Sequence, residues 1–246
     1  MILASGRGSN FESISDHIEL GILQNVRVGC LICNRPGALV VELARSRGVR
    51  VTEIGGIFGK KYSSSDEREN ARRQFEENCL SAVANDWIDL VVLAGFDQLL
   101  SREFVEHFPH RILNIHPAYD LVKYGGKNMV GQRIHKLVIE NKEEYSGCTV
   151  HVVIPEVDQG PAVLKKRVKV LSCDTPETLE KRILLREHLI YPEAIQLYAD
   201  SRVKFDPSGA CIVDFTSGSW EPEWNKRQSK YIQIHSEEMS EIFNES

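Results

Sequence analysis

Apolar positions along this chain gather into short blocks, separated by longer stretches in which they recur every third or fourth residue. The blocks at residues 1–4, 26–33, 49–51, 89–96, 111–117, 148–155 and 162–170 read as strands. Residues 89–96 are apolar almost without interruption, the pattern of a strand buried on both faces of a parallel sheet. Between the blocks lie helical stripes. One joins Phe11, Ile14 and Ile18, with Ile22 beyond them. A second covers residues 38–47 and is closed by Gly48. A third runs from Ser65 to about Asn85 with Ala71, Phe75, Cys79 and Val83 inward. Ser101 caps a short helix reaching His107, and residues 130–141 place Ile134, Leu137 and Val138 on one side. Thr175-Pro176-Glu177 opens a helix to about Ala199 that bends near Pro192. Two further apolar stretches, 203–205 and 211–215, flank Asp206-Pro207-Ser208-Gly209, a hairpin signal. Strands alternating with helices predict an α/β fold. The expected form is a doubly wound, mostly parallel sheet over residues 1–205. Residues 206–246 form a small C-terminal β-hairpin and a loosely attached polar tail with a short helix.

Composition changes this picture little. Apolar residues make up 42% of 246 and charged residues 26%, ordinary for a globular chain, and the net charge is −5. That balance favours neither a nucleic acid nor a membrane as partner. No apolar run approaches the roughly 20 residues of a membrane span, and the start lacks a secretory pattern. Six scattered cysteines fit a reduced, cytoplasmic protein. Cys30 and Cys33 spell CxxC, but alternation along a strand points the two thiols to opposite faces, and no second pair completes a zinc site. They read as core cysteines.

Candidate chemistry concentrates at strand ends. Asn114 and His116, two apart on one strand, share a face, and Pro117 ends the ladder behind them. An amide dipole beside a group titrating near neutrality suits the carboxyl end of a parallel strand, where α/β proteins bind ligands. The same pair could equally satisfy a neighbouring loop. After the first strand comes Ser5-Gly6-Arg7-Gly8-Ser9-Asn10. There Gly6 and Gly8 permit a tight turn, and Ser9 and Asn10 either cap the next helix or hold a phosphate. Gly95 lets a ligand or backbone approach its strand end, and the long polar segment 54–65 is a candidate functional loop. His151 precedes Asp158 by seven residues on the strand leading into Asp158's turn. It either supports that carboxylate or is a satisfied core histidine. His188 reads as structural, and His107, His110 and His135 as surface. No histidines fall at metal-ligand spacing.

In chain order, G-x-G-S-N (6–10), D-L-V-V-L-A-G-F (89–96), L-N-I-H-P (113–117), V-H-x-V (150–153) with D-x-G-P (158–161), and E-H-x-x-Y-P (187–192) resemble the folate-dependent glycinamide ribonucleotide formyltransferases of purine biosynthesis. The resemblance covers residues 1 to about 205 and implies a Rossmann-like formyltransferase fold. It also implies transfer of a formyl group from 10-formyltetrahydrofolate to the amine of glycinamide ribonucleotide, without a metal. By the same resemblance Asn114, His116 and Asp158 form the catalytic trio, and Gly8, Ser9 and Asn10 hold the ribose phosphate. Gly95, Pro117 and Glu187 contact the substrate. Arg68, Gln98, Leu99, Leu100 and Asn114 contact the folate, with Gln98 standing where a basic residue is common. Asp158 would hold His116 as a charged imidazolium. The implied partners are small molecules, with the chain a monomer or homodimer. The sequence departs from the family where S-L-L-P normally follows N-I-H-P. Here residues 118–122 are A-Y-D-L-V, so Asp120 adds a carboxylate beside the reaction centre, and residues 118–129 read as a loop. Two other readings compete: formyl transfer to another amine such as a sugar nucleotide, and a family member that binds its ligands without turnover. A nicotinamide dehydrogenase is disfavoured, because the turn lacks a third glycine and no acidic residue follows the second strand.

Overall fold

The structure, a computed structural model, describes residues 1–57, 59–216 and 220–243. Phe58 of the expected loop, and residues 217–219 and 244–246 of the expected tail, lie outside the described residues.

Seven strands form one sheet: β1 (Ile2–Ala4), β2 (Leu31–Cys33), β3 (Val51–Glu53), β4 (Val91–Leu93), β5 (Ile112–His116), β6 (Tyr145–Val152) and β7 (Ala162–Lys169). Their order is β3-β2-β1-β4-β5-β6-β7. The pairs among β1 to β5 are parallel, and β6 with β7 is antiparallel. A separate hairpin joins β8 (Val203–Phe205) to β9 (Cys211–Val213). The helices are α1 (Ser9–Glu19), α2 (Leu39–Ser46), α3 (Ser65–Ala82), α4 (Arg102–His107), α5 (Leu121–Tyr124), α6 (Gln132–Glu140), α7 (Pro176–Ala199), α8 (Trp220–Ile234) and α9 (Ser236–Phe243). The chain forms two compact units.

The first unit comprises residues 1–12, 27–114 and 153–156. Its strands run outward from β1, with β2 and β3 on one side and β4 and β5 on the other. The direction of winding therefore reverses between β1 and β4, the switch point at which such sheets open a binding crevice. One face packs Leu3, Ile32, Val91, Leu93 and Ile112 against Phe75 and Cys79 of α3 and Phe104 of α4, a core in which apolar burial is the main stabilising force. Ser64 and Ser101 cap α3 and α4, each accepting a backbone N–H three residues on. Cys30 belongs to this core cluster and Cys33 does not, consistent with opposite faces. Both are buried free thiols pushed up by burial. The second strand is shorter than residues 26–33 suggested, and the third begins at Val51 rather than Val49. The ladder sets both limits: β1 opens with Ile2 opposite Leu31, and Leu31 lies opposite Val51.

The second unit comprises residues 13–26, 115–152 and 157–246. The long α7, started by a Thr175–Thr178 capping box, packs on α6, β6, β7 and α9. The tail is not loosely attached. It folds as α8 and α9 with Trp220, Trp224, Tyr231 and Met239 buried, because an aromatic stripe needs a partner surface and finds it here. The indole N–H of Trp220 donates to Asp200 at 2.8 Å, Arg227 donates to the Ile22 carbonyl at 2.7 Å, and Gln228 donates to the Leu189 carbonyl at 2.9 Å. His17 lies beneath these helices, its ring 4.2 Å from that of Tyr231.

Candidate active site

In the first unit the polar side chains converge where β1, β2 and β4 end. The Ser5 N–H donates to the Gly95 carbonyl at 3.2 Å, and its hydroxyl donates to Asp97 at 2.8 Å. Asn34 donates to the same carboxylate at 2.8 Å, and Arg35 pairs with it. Asp97 thus ties the three strand ends together, a role with no signal in the sequence pattern. Gln98 is buried, and its amide oxygen accepts the Ile57 N–H at 2.9 Å, tying down the backbone at Ile57. Leu99 is half-exposed and Leu100 half-buried, so both are accessible from this end. Asn114 lies opposite Leu93 in the β4–β5 register, at the carboxyl end of the ladder.

The Gly8-Ser9-Asn10 turn follows β1 directly. The helix begins at Ser9, so the glycine takes the cap position expected of Ser9 and Asn10, and its carbonyl accepts the Glu12 N–H at 2.8 Å. Gly8 has φ +90, and a Cβ there would sit 2.7 Å from Cγ2 of Val40. Only glycine lets this turn lie against α2. Arg68 is exposed in the first turns of α3, on a surface cavity that it shares with Ile57, Lys60, Tyr62 and Ser64.

The second unit holds a carboxylate between two imidazoles. Asp158 sits at φ 57 in the turn after β6, a left-handed conformation that Asp tolerates better than most residues. Nδ1 of His116 lies 3.5 Å from its Oδ2, and Nε2 of His151 lies 3.6 Å from its Oδ1. The Gly126 N–H donates to Oδ2 at 2.9 Å. Burial pushes the Asp158 carboxyl up, but His151, His116 and that N–H outweigh it and hold the group below its ordinary value. His116 goes the other way from expectation. Burial lowers its pKa, and the opposing pull of Asp158 and the Tyr124 carbonyl does not recover the loss. Its pKa is thus held below the ordinary value, against the upward shift that the carboxylate alone would give. A carbonyl can only accept, so the 2.8 Å contact between Nε2 and the Tyr124 oxygen places the proton on Nε2. Nδ1 faces the Asp158 carboxylate.

His151 is buried, with Nδ1 3.1 Å from the Val152 carbonyl. The ring is thus both buried and set beside the Asp158 carboxylate. Pro117 follows β5 immediately, and Thr149 holds the backbone just beyond it by donating to the Ala118 carbonyl at 2.8 Å. Glu187 is buried on α7 close to Cys148, whose thiol burial raises well above its ordinary value, with the carboxylate adding to the effect. His188 is structural in environment, its pKa pushed down to about 4 by burial. His107 and His110 are on the surface, but His135 is not. It is 1% exposed on α6 and lowered to about 4 by burial and by His116. Asp120 is no second carboxylate for chemistry: it caps α5, accepting the Val122 and Lys123 N–H groups at 3.0 and 3.1 Å. Sequence reasoning missed this helix because one turn is too short to show a period. Among the described residues no group of three or more His, Cys, Asp or Glu is placed to hold a metal ion, and no helix is long and apolar enough to cross a membrane.

A formyl transferase signature matches residues 1–195, and the chain belongs to that family. Within it, the chain is 33% identical over 213 residues to the phosphoribosylglycinamide formyltransferase of Escherichia coli (strain K12), covering 86% of this chain and 92% of that one. It is 35% identical over 212 residues to the chloroplastic phosphoribosylglycinamide formyltransferase of Arabidopsis thaliana, covering 86% and 69%. The crystal structure of glycinamide ribonucleotide transformylase 1 from Symbiobacterium toebii superposes with a TM-score of 0.73 at 34% identity, over 86% of this chain and 92% of that one.

Proposed function

We propose that this protein transfers a formyl group from 10-formyltetrahydrofolate to the primary amine of glycinamide ribonucleotide, as a cytoplasmic monomer or homodimer of the purine pathway. The observation that carries the reading is the Asp158 carboxylate held between His116 and His151 in a chain of this family. The amine of the substrate is the nucleophile, so the protein needs none of its own. Its attack on the formyl carbon creates a tetrahedral intermediate and an oxyanion, which the Asn114 amide stabilises. One such donor is typically worth about 3–4 kcal/mol. The amine's proton moves through the ionised Asp158, directly or by a water, to Nδ1 of His116. The imidazolium so formed has an acceptor at each nitrogen, Asp158 and the Tyr124 carbonyl, and its new charge stabilises the oxyanion until the proton passes to the departing folate nitrogen. Charge that arrives with the transition state accelerates the reaction, whereas charge already present binds substrate and transition state alike.

In this reading Gly8, Ser9 and Asn10 bind the phosphate at the start of α1, with the helix dipole behind it. Gly95, Pro117 and Glu187 position the glycinamide and ribose. Gln98, Leu99 and Leu100 line the pterin site, and Arg68, with Lys60 beside it, faces the acidic tail of the folate. This scheme calls for no metal: Asp158 and His116 move the proton, and the Asn114 amide supplies the dipole. A formyl-transfer assay with both substrates, comparing the native protein with His116→Ala, tests the proposal. The rate should fall by roughly 100- to 1000-fold in the variant. Absence of turnover in the native protein with both ligands present would overturn it.

A further inference from the structure

Both proton-handling groups of the second unit lean on the backbone of one short segment. Nε2 of His116 is bonded to the Tyr124 carbonyl and Asp158 to the Gly126 N–H, two residues apart. That segment has its own fixed points. Asp120 caps α5 from one end. From the other, the buried Tyr124 side chain carries its hydroxyl to Glu143, donating at 2.7 Å, and accepts from Nδ2 of Asn141 at 3.0 Å. Lys123 pairs with the same Glu143 carboxylate, and together with the phenol it holds that carboxyl below its ordinary value. Gly125 lies between the two contacts. A Cβ on it would meet the Leu121 carbonyl oxygen at 2.4 Å and Cβ of Asp158 at 3.1 Å, so the segment is seated against the aspartate without slack.

We propose that Tyr124 and Glu143 are positioning residues, a brace that keeps the proton of resting His116 on Nε2 and the Asp158 carboxylate turned toward Nδ1. The brace acts because a backbone carbonyl anchored at 2.8 Å from a buried imidazole dictates which nitrogen carries the proton. An anchored N–H likewise fixes one carboxylate oxygen. Without the phenol's two hydrogen bonds, the carbonyl and N–H lose their register, and the neutral ring can take either tautomer. This extends the proposed formyl transfer and rests on it for the kinetic part only. The titratable groups facing His116 are Asp158 and His151 on one side and His135 of α6 on another, so all four belong in the reading of any pH profile.

The test uses the full chain and three substitutions: Tyr124→Phe, Glu143→Leu and Glu143→Gln. Nitrogen-15 spectra of histidine-labelled protein report the tautomer directly. Native His116 should show the Nε2–H form, and Tyr124→Phe and Glu143→Leu a mixture. Their kcat for formyl transfer should fall about tenfold, the equivalent of one or two hydrogen bonds, with KM changed less than threefold. The acid limb of their pH profile should move. Glu143→Gln, which keeps an acceptor for the phenol, should recover most of the loss seen in Glu143→Leu. A folded Tyr124→Phe protein with native nitrogen shifts would overturn the brace, as would equal losses in the Gln and Leu variants. Should the native protein transfer no formyl group, the proposed reaction fails, while the nitrogen shifts still decide the brace.

Discussion

Replacing His17 by Phe should make the fold less sensitive to acid. His17 is fully buried under α8. Its Nδ1–H donates to the Ser13 carbonyl at 2.8 Å, and Nε2 is left without a hydrogen-bond partner against the ring of Tyr231. A proton on Nε2 would therefore sit in an apolar site. Burial lowers the pKa from 6.5 to about 4, with His235 lowering it further, while the Ser13 carbonyl and Asp16 pull upward without prevailing. Between these values the unfolded chain binds a proton that the folded chain refuses, so stability falls as the pH drops from 6.5 toward 4. At pH 5 the unfolded ring is about 1.5 units below its pKa and the folded ring remains neutral. At about 1.4 kcal/mol per unit, this residue then removes about 2 kcal/mol. Urea unfolding at pH 7.5 and pH 5 measures it. The Phe variant forfeits the Ser13 bond and should lose about 1 kcal/mol at pH 7.5, yet its stability should change about 2 kcal/mol less between the two pH values than that of the native protein. An unchanged pH increment would show that His17 is not titrating as its burial requires.

Three further outcomes follow from the same geometry. Asp158→Asn removes the charge that raises His116, so the His116 pKa should fall further by NMR titration, and the formyl-transfer rate should drop at least 100-fold. Gly125→Ala should cost at least tenfold in kcat with little change in melting temperature, since the new methyl pushes on the Leu121 carbonyl and on Asp158 rather than on the core. Equal activity would mean that the segment yields freely. Trp224→Ala should destabilise the protein by about 3–5 kcal/mol, and hydrogen exchange should then speed up across α8 before the first unit responds.

Much of the architecture was legible in the sequence, because strand and helix periods are local properties of which residues avoid water. The α3 stripe, the caps at Ser101 and Thr175, and the hairpin around Asp206 emerged where the pattern put them, and the apolar run at 89–96 supplied a buried strand, though only over Val91–Leu93. Asn114 and His116 lie at the end of β5 and Asp158 in the turn after β6, where the motifs place them. What the chain by itself left open concerns how far a strand extends and what a polar group faces. Residues 26–30 have strand character, but the register with β1 begins at Leu31, with the Cys30 carbonyl accepting the Ile2 N–H just before it. Polar, charged residues around Trp224 disguised a packed helix as a loose tail, and His135, which reads as surface, is buried because α6 turns it inward. The charge of His116 was the sharpest case. Sequence supplies the carboxylate that raises its pKa, but only tertiary packing supplies the desolvation that lowers it, and desolvation is the larger effect. Proximity in sequence names the reactive groups; the surroundings that fix their protons come from residues far away along the chain.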